Sequence, residues 1–288
     1  MSYEIVVCVK QVPDTENLTG EAMKEDGTVN RAALPAIVNP EDLNALELAV
    51  DIKDRHGGHV TALSMGPPNA AEALRECLYR GADRAVLLTD RRVAASDTQA
   101  TSYALSCAVR TIGAPDLVLC GRQAIDGDTA QVGPQLAEKL GLLQLTYVEE
   151  VADITDDAVT VRRALEDGYE VVCAPLPALL TVTGDANEPR PPSAKRVMKY
   201  KKARAACELD DPDEERLAGL RQRDLLIEQW GLDEINADES ACGGSGSPTR
   251  VKKIDSVQLR SEEHKPVEPT TEGLTELVEE LIEEHILD

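Results

Sequence analysis

The first 141 residues alternate short apolar runs with amphipathic segments, and that alternation restricts the fold more than any other feature. YEIVVCV (3–9), HVTALSM (59–65), RAVLLT (84–89) and DLVLC (116–120) read as strands. PEDLNALELAVDIKDRHGG (40–58), NAAEALRECLYRGA (69–82), DTQATSYALSCAVRTIGA (97–114) and residues 129–141 read as helices. Glu41 and Asp42 suit the positive end of the first helix, and the Gly57-Gly58 pair stops it. Strands without polar alternation need cover on both faces. Helices of this length between them give right-handed crossovers and a parallel sheet. The expected class is α/β, an open, mostly parallel, doubly wound, Rossmann-like sheet.

From about residue 145 the helices stop. QLTYVEEVADI, AVTVRRAL, GYEVVCAP and PALLTVT are successive short strands and predict an antiparallel extension of the same sheet. Beyond Thr183 the chain becomes irregular: three prolines fall within 189–192, a basic stretch follows, and ELDDPDEER is strongly acidic. Residues 214–230 read as a helix ending near Trp230, and 237–250 as a linker by its Gly/Ser content. Residues 272–286 place Leu274, Leu277, Val278, Leu281 and Ile282 on one helical face with a glutamate-rich back. The expected division is an α/β domain over 1–183 and, over 184–288, a loop, an acidic linker and a C-terminal arm.

Composition narrows the partners. The net charge is −23, from 30 basic and 53 acidic side chains. Nucleic-acid binding needs a basic face that releases counterions, so it is not expected. With 11 lysines against 19 arginines, the carboxylate excess resembles proteins of salt-loving organisms, where a short Debye length makes self-repulsion tolerable. An ordinary acidic cytosolic protein is the alternative. Seven cysteines without a C-x-x-C pair suit buried thiols in a reducing compartment. MSYEIVVCVK starts directly with a strand, and no apolar run approaches a membrane span. A cytoplasmic protein, not embedded in a membrane, is expected.

Catalytic signatures are sparse. The histidines at 56, 59, 264 and 285 have no zinc spacing, and no G-x-S-x-G, Walker A or G-x-G-x-x-G occurs. Reactivity is expected to come from a cofactor, with no catalytic side chains and no metal ligands. The stretch CGRQAIDGDTAQVGPQLAEKL (120–140) offers a place for one. A strand ending at Cys120 leads through an acidic turn into a helix, whose first amides favour a phosphate. Gly121 and Gly127 would allow close approach, Thr129 and Gln131 would donate, and Asp128 would cap the helix. A plain capped helix without ligand is the bland alternative.

Several motifs in one order resemble the beta subunit of electron transfer flavoproteins over nearly the whole chain: VCVKQVPD (7–14), VNPEDLNALELA (38–49), GADRAVLL (81–88), VRRALEDGYEVVCAPLPALLT (161–181), NEPR (187–190), MKYKK (198–202) and GSPTRV (246–251). The resemblance implies an adenine-nucleotide-binding sheet in a heterodimer with an alpha subunit, carrying electrons between flavin, NADH or dehydrogenases and an acceptor such as a quinone oxidoreductase. It implies that Cys8, Asn39, Pro40, Glu41, Asp42 and Met65 contact the nucleotide. With them it places Gly121, Arg122, Gln123, Ala124, Ile125, Asp126, Gly127, Asp128, Thr129, Ala130, Gln131 and Val132. Two nucleotides stay open. Likeness to the electron-bifurcating type, with Gly127 and Ala130 leaving space, favours FAD; the simple carriers hold AMP. Where the family presents a leucine to partner dehydrogenases, this chain has Ala194. The rival from another class is a nucleotide-binding regulatory module like the universal stress proteins.

Overall fold

A computed structural model describes residues 2–14, 35–210, 212–250 and 266–283. Two compact units result, residues 1–250 and residues 251–288. In the first, β1 (Tyr3–Cys8) leads to a small antiparallel pair, β2 (Gln11–Pro13) and β3 (Ala36–Val38). Helix α1 (Pro40–His56), β4 (Gly58–Met65), α2 (Ala71–Arg80), β5 (Arg84–Leu88), α3 (Thr98–Ile112), β6 (Leu117–Gly121) and α4 (Val132–Leu140) follow. The meander is β7 (Leu143–Ile154), β8 (Ala158–Leu165) and β9 (Gly168–Pro175), and the chain then returns as β10 (Ala178–Val182).

Among the described residues the main sheet has nine strands. From β5 the order runs β4, β1, β6, β10, β7, β8, β9, parallel as far as β7 and antiparallel beyond. Alternation along β1 sorts the core into two layers. Tyr3, Ile5 and Val7 pack with α1 and α2, whereas Val6 and Cys8 pack with α3 and α4. The expected doubly wound α/β sheet with an antiparallel extension is therefore present, but PALLTVT, expected in that extension, is β10 and runs parallel between β6 and β7; its apolar residues, buried along the whole strand, suit that central place. The aliphatic core fits a chain without phenylalanine.

Helix ends follow their chemistry. Pro40 opens α1, where its missing N–H costs nothing. Asp97 caps α3 by accepting from Ala100 N at 3.0 Å.

Two expectations fail after Thr183. Residues 214–230 are not one helix: α6 (Glu214–Gln222) stops, and Glu228–Trp230 form β11, parallel to β5 at the edge of the sheet. Leu225 and Ile227 are both buried, a period of two that a helix-length window averages away. Nor are residues 237–250 a slack linker. A short turn of helix, α7 (Gly243–Gly246), is stitched to the loop after β5: Gly244 N donates to Ala94 O at 3.0 Å, Asp97 N to Ser247 Oγ at 2.8 Å and Thr249 N to Asp97 Oδ2 at 3.0 Å. Between β10 and α6, helix α5 (Ala194–Tyr200) packs Tyr200 inward and leaves Met198 62% exposed. In the second unit α8 (Thr271–Glu283) carries Leu274, Val278 and Ile282 along one exposed stripe.

Candidate functional site

Strands β4 and β5 lie on one side of β1, and β6 and β10 on the other. The crossover helices therefore diverge around β1 and β6, and ligands of open α/β sheets occupy the crevice beyond the carboxyl ends at such a switch point. Cys8, Met65 and Gly121 end β1, β4 and β6, so all three stand at that crevice.

The segment 39–42 builds the floor. Asp42 is buried; it accepts from Lys10 N at 2.8 Å and from Gly121 N at 3.0 Å, tying the end of β1 to the end of β6. Glu41 accepts from Gln123 N and Arg122 Nη2, each at 2.9 Å. Asn39 donates through Nδ2 to Gln123 O at 2.8 Å and accepts from Ile125 N at 3.1 Å. Three polar side chains at the start of α1 thus hold loop 121–125 in shape, while Pro40 is exposed on the same turn. Gly121 allows this seam: a Cβ there would lie 2.5 Å from Asp42 Oδ1. Its smallness serves the contact with α1.

Burial dominates the electrostatics of the floor. It pushes the Asp42 carboxyl up to about 7 against the pull of its amide donors. It pushes the Cys8 thiol up to about 12, with the Asp42 charge adding to it, and raises Cys120 as well. The two cysteines are register partners on β1 and β6 and stand as neutral thiols.

Past Ile125 the turn opens. Gly127 N and Asp128 N both donate to Ala124 O, at 3.1 and 2.9 Å. Asp128 does not cap α4. It has φ 46°, it accepts from Gln123 Nε2 at 3.1 Å, and the helix starts at Val132 with Gln131 before it. Ala130 also takes a positive φ of 50°, and Gln131 returns to φ −105°. Successive residues of opposite hand make the N–H groups of a nest converge. A left-handed alanine costs roughly 1–2 kcal/mol, and such strain clusters at functional sites. Among the described residues, the backbone amides of Thr129, Ala130, Gln131, Val132 and Gly133 find no acceptor.

The nest has packed support and an open mouth. A Cβ on Gly133 would meet Thr181 Cγ2 at 2.6 Å and Cys120 Sγ at 3.0 Å, so α4 starts hard against β6 and β10. A Cβ on Gly127 would meet nothing within 4 Å. Residues that the spacing did not single out also line the turn. Lys10 Nζ reaches Asp126 Oδ1 at 2.6 Å, and Thr98 Oγ1 donates to Gln131 Oε1 at 3.1 Å, leaving Gln131 Nε2 as a donor. Lys10 stands inside VCVKQVPD, and the acidic turn facing it was its only sequence signal.

Comparison with known proteins shows the family. The family model described as the electron transfer flavoprotein domain matches residues 26–207. The chain belongs to the electron transfer flavoprotein family. It is 42% identical to the electron transfer flavoprotein subunit beta of Clostridium acetobutylicum, over 98% of this chain and 99% of that one. It is 43% identical to protein FixA of Azorhizobium caulinodans, over 90% and 86% of the two chains. Against the caffeyl-CoA reductase-Etf complex subunit CarD of Acetobacterium woodii it is 43% identical over 86% and 85%. It is thus a beta-type member of an electron-transfer family, and the regulatory-module rival falls away. No described helix is long and apolar enough to cross a membrane.

Proposed function

We propose that this chain, as the beta subunit of a heterodimer with an electron transfer flavoprotein alpha subunit, seats an adenine nucleotide in the crevice above β1, β4 and β6, and that the nucleotide is FAD rather than AMP. The five amides of residues 129–133, which find no acceptor among the described residues, carry this reading. They form the positive end of α4, shaped as a nest, and would take the phosphate. Thr129 and Gln131 would add side-chain donors at its rim. Residues 121–125, fixed by Asn39, Glu41 and Asp42, and Asp126, paired with Lys10, would form the wall beneath it, with Cys8 and Met65 as its apolar side. The open space at Gly127 leaves room for a group larger than a nucleoside monophosphate.

A bound flavin supplies hydride and single-electron chemistry. The residues around the crevice do the rest: the nest fixes the phosphate, and the buried thiols of Cys8 and Cys120 add no charge. Electrons would pass between NADH or a dehydrogenase and an acceptor such as a quinone oxidoreductase, in the cytoplasm. Ala194 opens α5 without the leucine that such partners would grip, so docking would rest on other residues of that helix, with Met198 the exposed apolar one.

Co-purification with the alpha subunit tests the reading. Two FAD per heterodimer, with flavin bleached by NADH, is the expected result; one FAD with one AMP assigns the site to AMP. Gly127→Asp gives a second arm. The position has space for the side chain, so the fold should tolerate it. The new carboxylate would occupy the ligand's volume and repel its phosphate. Nucleotide content should fall at least severalfold, with the variant melting like wild type once both are stripped of nucleotide, and full content would show that the crevice lies elsewhere.

A further inference from the structure

A phosphate on the nest has to approach two carboxylates, Asp126 and Asp128, in the turn that leads into it. Both are already engaged. Gln123 Nε2 donates to Asp128 Oδ1, and the ammonium of Lys10 reaches Asp126 Oδ1 at 2.6 Å from the far side of the crevice. Lys10 is anchored through its own main chain: its N–H donates to Asp42 at 2.8 Å, and its carbonyl accepts from Asn39 N at 2.9 Å. The side chain therefore springs from a fixed point at the end of β1. Its ion pair with Asp126 is partly exposed, the two side chains being 50% and 28% accessible. Solvent screens such a pair, and it adds little to folding. The same pair stands where an incoming anion feels every unneutralised charge.

We infer that Lys10 is a positioning residue for the nucleotide: by pairing with Asp126 it cancels the carboxylate that would otherwise repel the phosphate. The inference rests on the nucleotide reading above. It makes Lys10 act through Asp126 rather than through contact with the ligand. The nearby guanidinium of Arg122 is held by Glu41 and does not substitute for it.

Calorimetric titration of the full-length chain with AMP and with adenosine, at 0.1 M and 1 M KCl, separates the possibilities. Lys10→Met should weaken AMP binding about five- to tenfold at 0.1 M salt, the scale of one unpaired charge several ångströms from a phosphate at a protein surface. Adenosine binding should not change. At 1 M salt, where the Debye length is about 3 Å, most of the AMP difference should vanish. Lys10→Arg should keep wild-type affinity, and Lys10→Met combined with Asp126→Asn should recover it. A Lys10→Met chain that binds AMP like wild type overturns the inference. So does a double variant that stays weak, because Lys10 would then touch the phosphate itself. A wild-type chain that binds AMP no better than adenosine instead overturns the nucleotide reading, and this inference with it.

Discussion

Asp42 is the residue on which the two halves of the crevice meet. Its carboxyl spans Lys10 N and Gly121 N, and burial raises it to about 7 although both amides favour the charged form. The pH dependence follows. An unfolded chain releases this proton near pH 4, the folded chain only near pH 7. Between those values the unfolded state holds fewer protons, so the part of the stability that depends on Asp42 is full below about pH 4 and is lost as pH rises through 7. Asp42→Asn should flatten the fall in urea-unfolding stability between pH 5 and pH 8 relative to wild type. An unchanged slope would mean that the carboxyl is ionised throughout. The role of Asp42 as a brace was not legible in the sequence. Glu41 and Asp42 read as first-turn acids of a helix, which they are, but their partners lie far off in sequence, Lys10 before them and Gly121 to Gln123 about 80 residues further along. Asp128 misled for the opposite reason: Asp before a helix is a strong local cap signal, and the nest overrides it.

At the scale of elements, α1 to α3 and the strands β1, β4, β5 and β6 were legible because each is governed by local rules: Pro40 opens α1, Asp97 caps α3, and the strands are buried on both faces. β10 reads as antiparallel because its two parallel neighbours lie far off in sequence. β11 was not legible. Its place depends on Arg84 of β5, whose Nε and Nη2 donate to the two oxygens of Glu228 at 2.7 and 2.8 Å, and which lies over the Trp230 ring at 5.6 Å. No local pattern encodes an edge strand held by one distant arginine. Arg84→Ala should free this strand. Because the ion pair is about one-third exposed, the cost is limited to about 1 kcal/mol. The emission of Trp230, the chain's single tryptophan, should shift to the red before global unfolding in urea. An unshifted spectrum would mean that β11 is held by its main chain alone. The segment 237–250 was missed for a related reason: Gly and Ser read as slack, yet here they fit α7 against the loop after β5.

For the whole molecule, charge is the quantity that reaches everywhere. The arginines are heavily used: Arg92 alone faces Asp90, Asp233 and Glu239, and Arg190 joins Glu47 and Asp54. The excess that gives −23 remains as mutual repulsion. Raising KCl from 0.1 M to 1 M shortens the Debye length from about 10 Å to about 3 Å, so the thermal midpoint should climb by several degrees. A midpoint independent of salt would remove the basis for reading the composition as salt adaptation. A different consequence follows from β10. The ribosome makes it after β7, β8 and β9, yet it lies between β6 and β7. Its Val182 carbonyl accepts from Arg122 N, and its Thr181 lies against Gly133. Every residue of the proposed nucleotide site, from Cys8 to Val132, is thus translated before the strand that backs it. If the crevice takes the proposed nucleotide, its seat is complete only once the growing polypeptide has passed Val182, which makes loading a late event in synthesis.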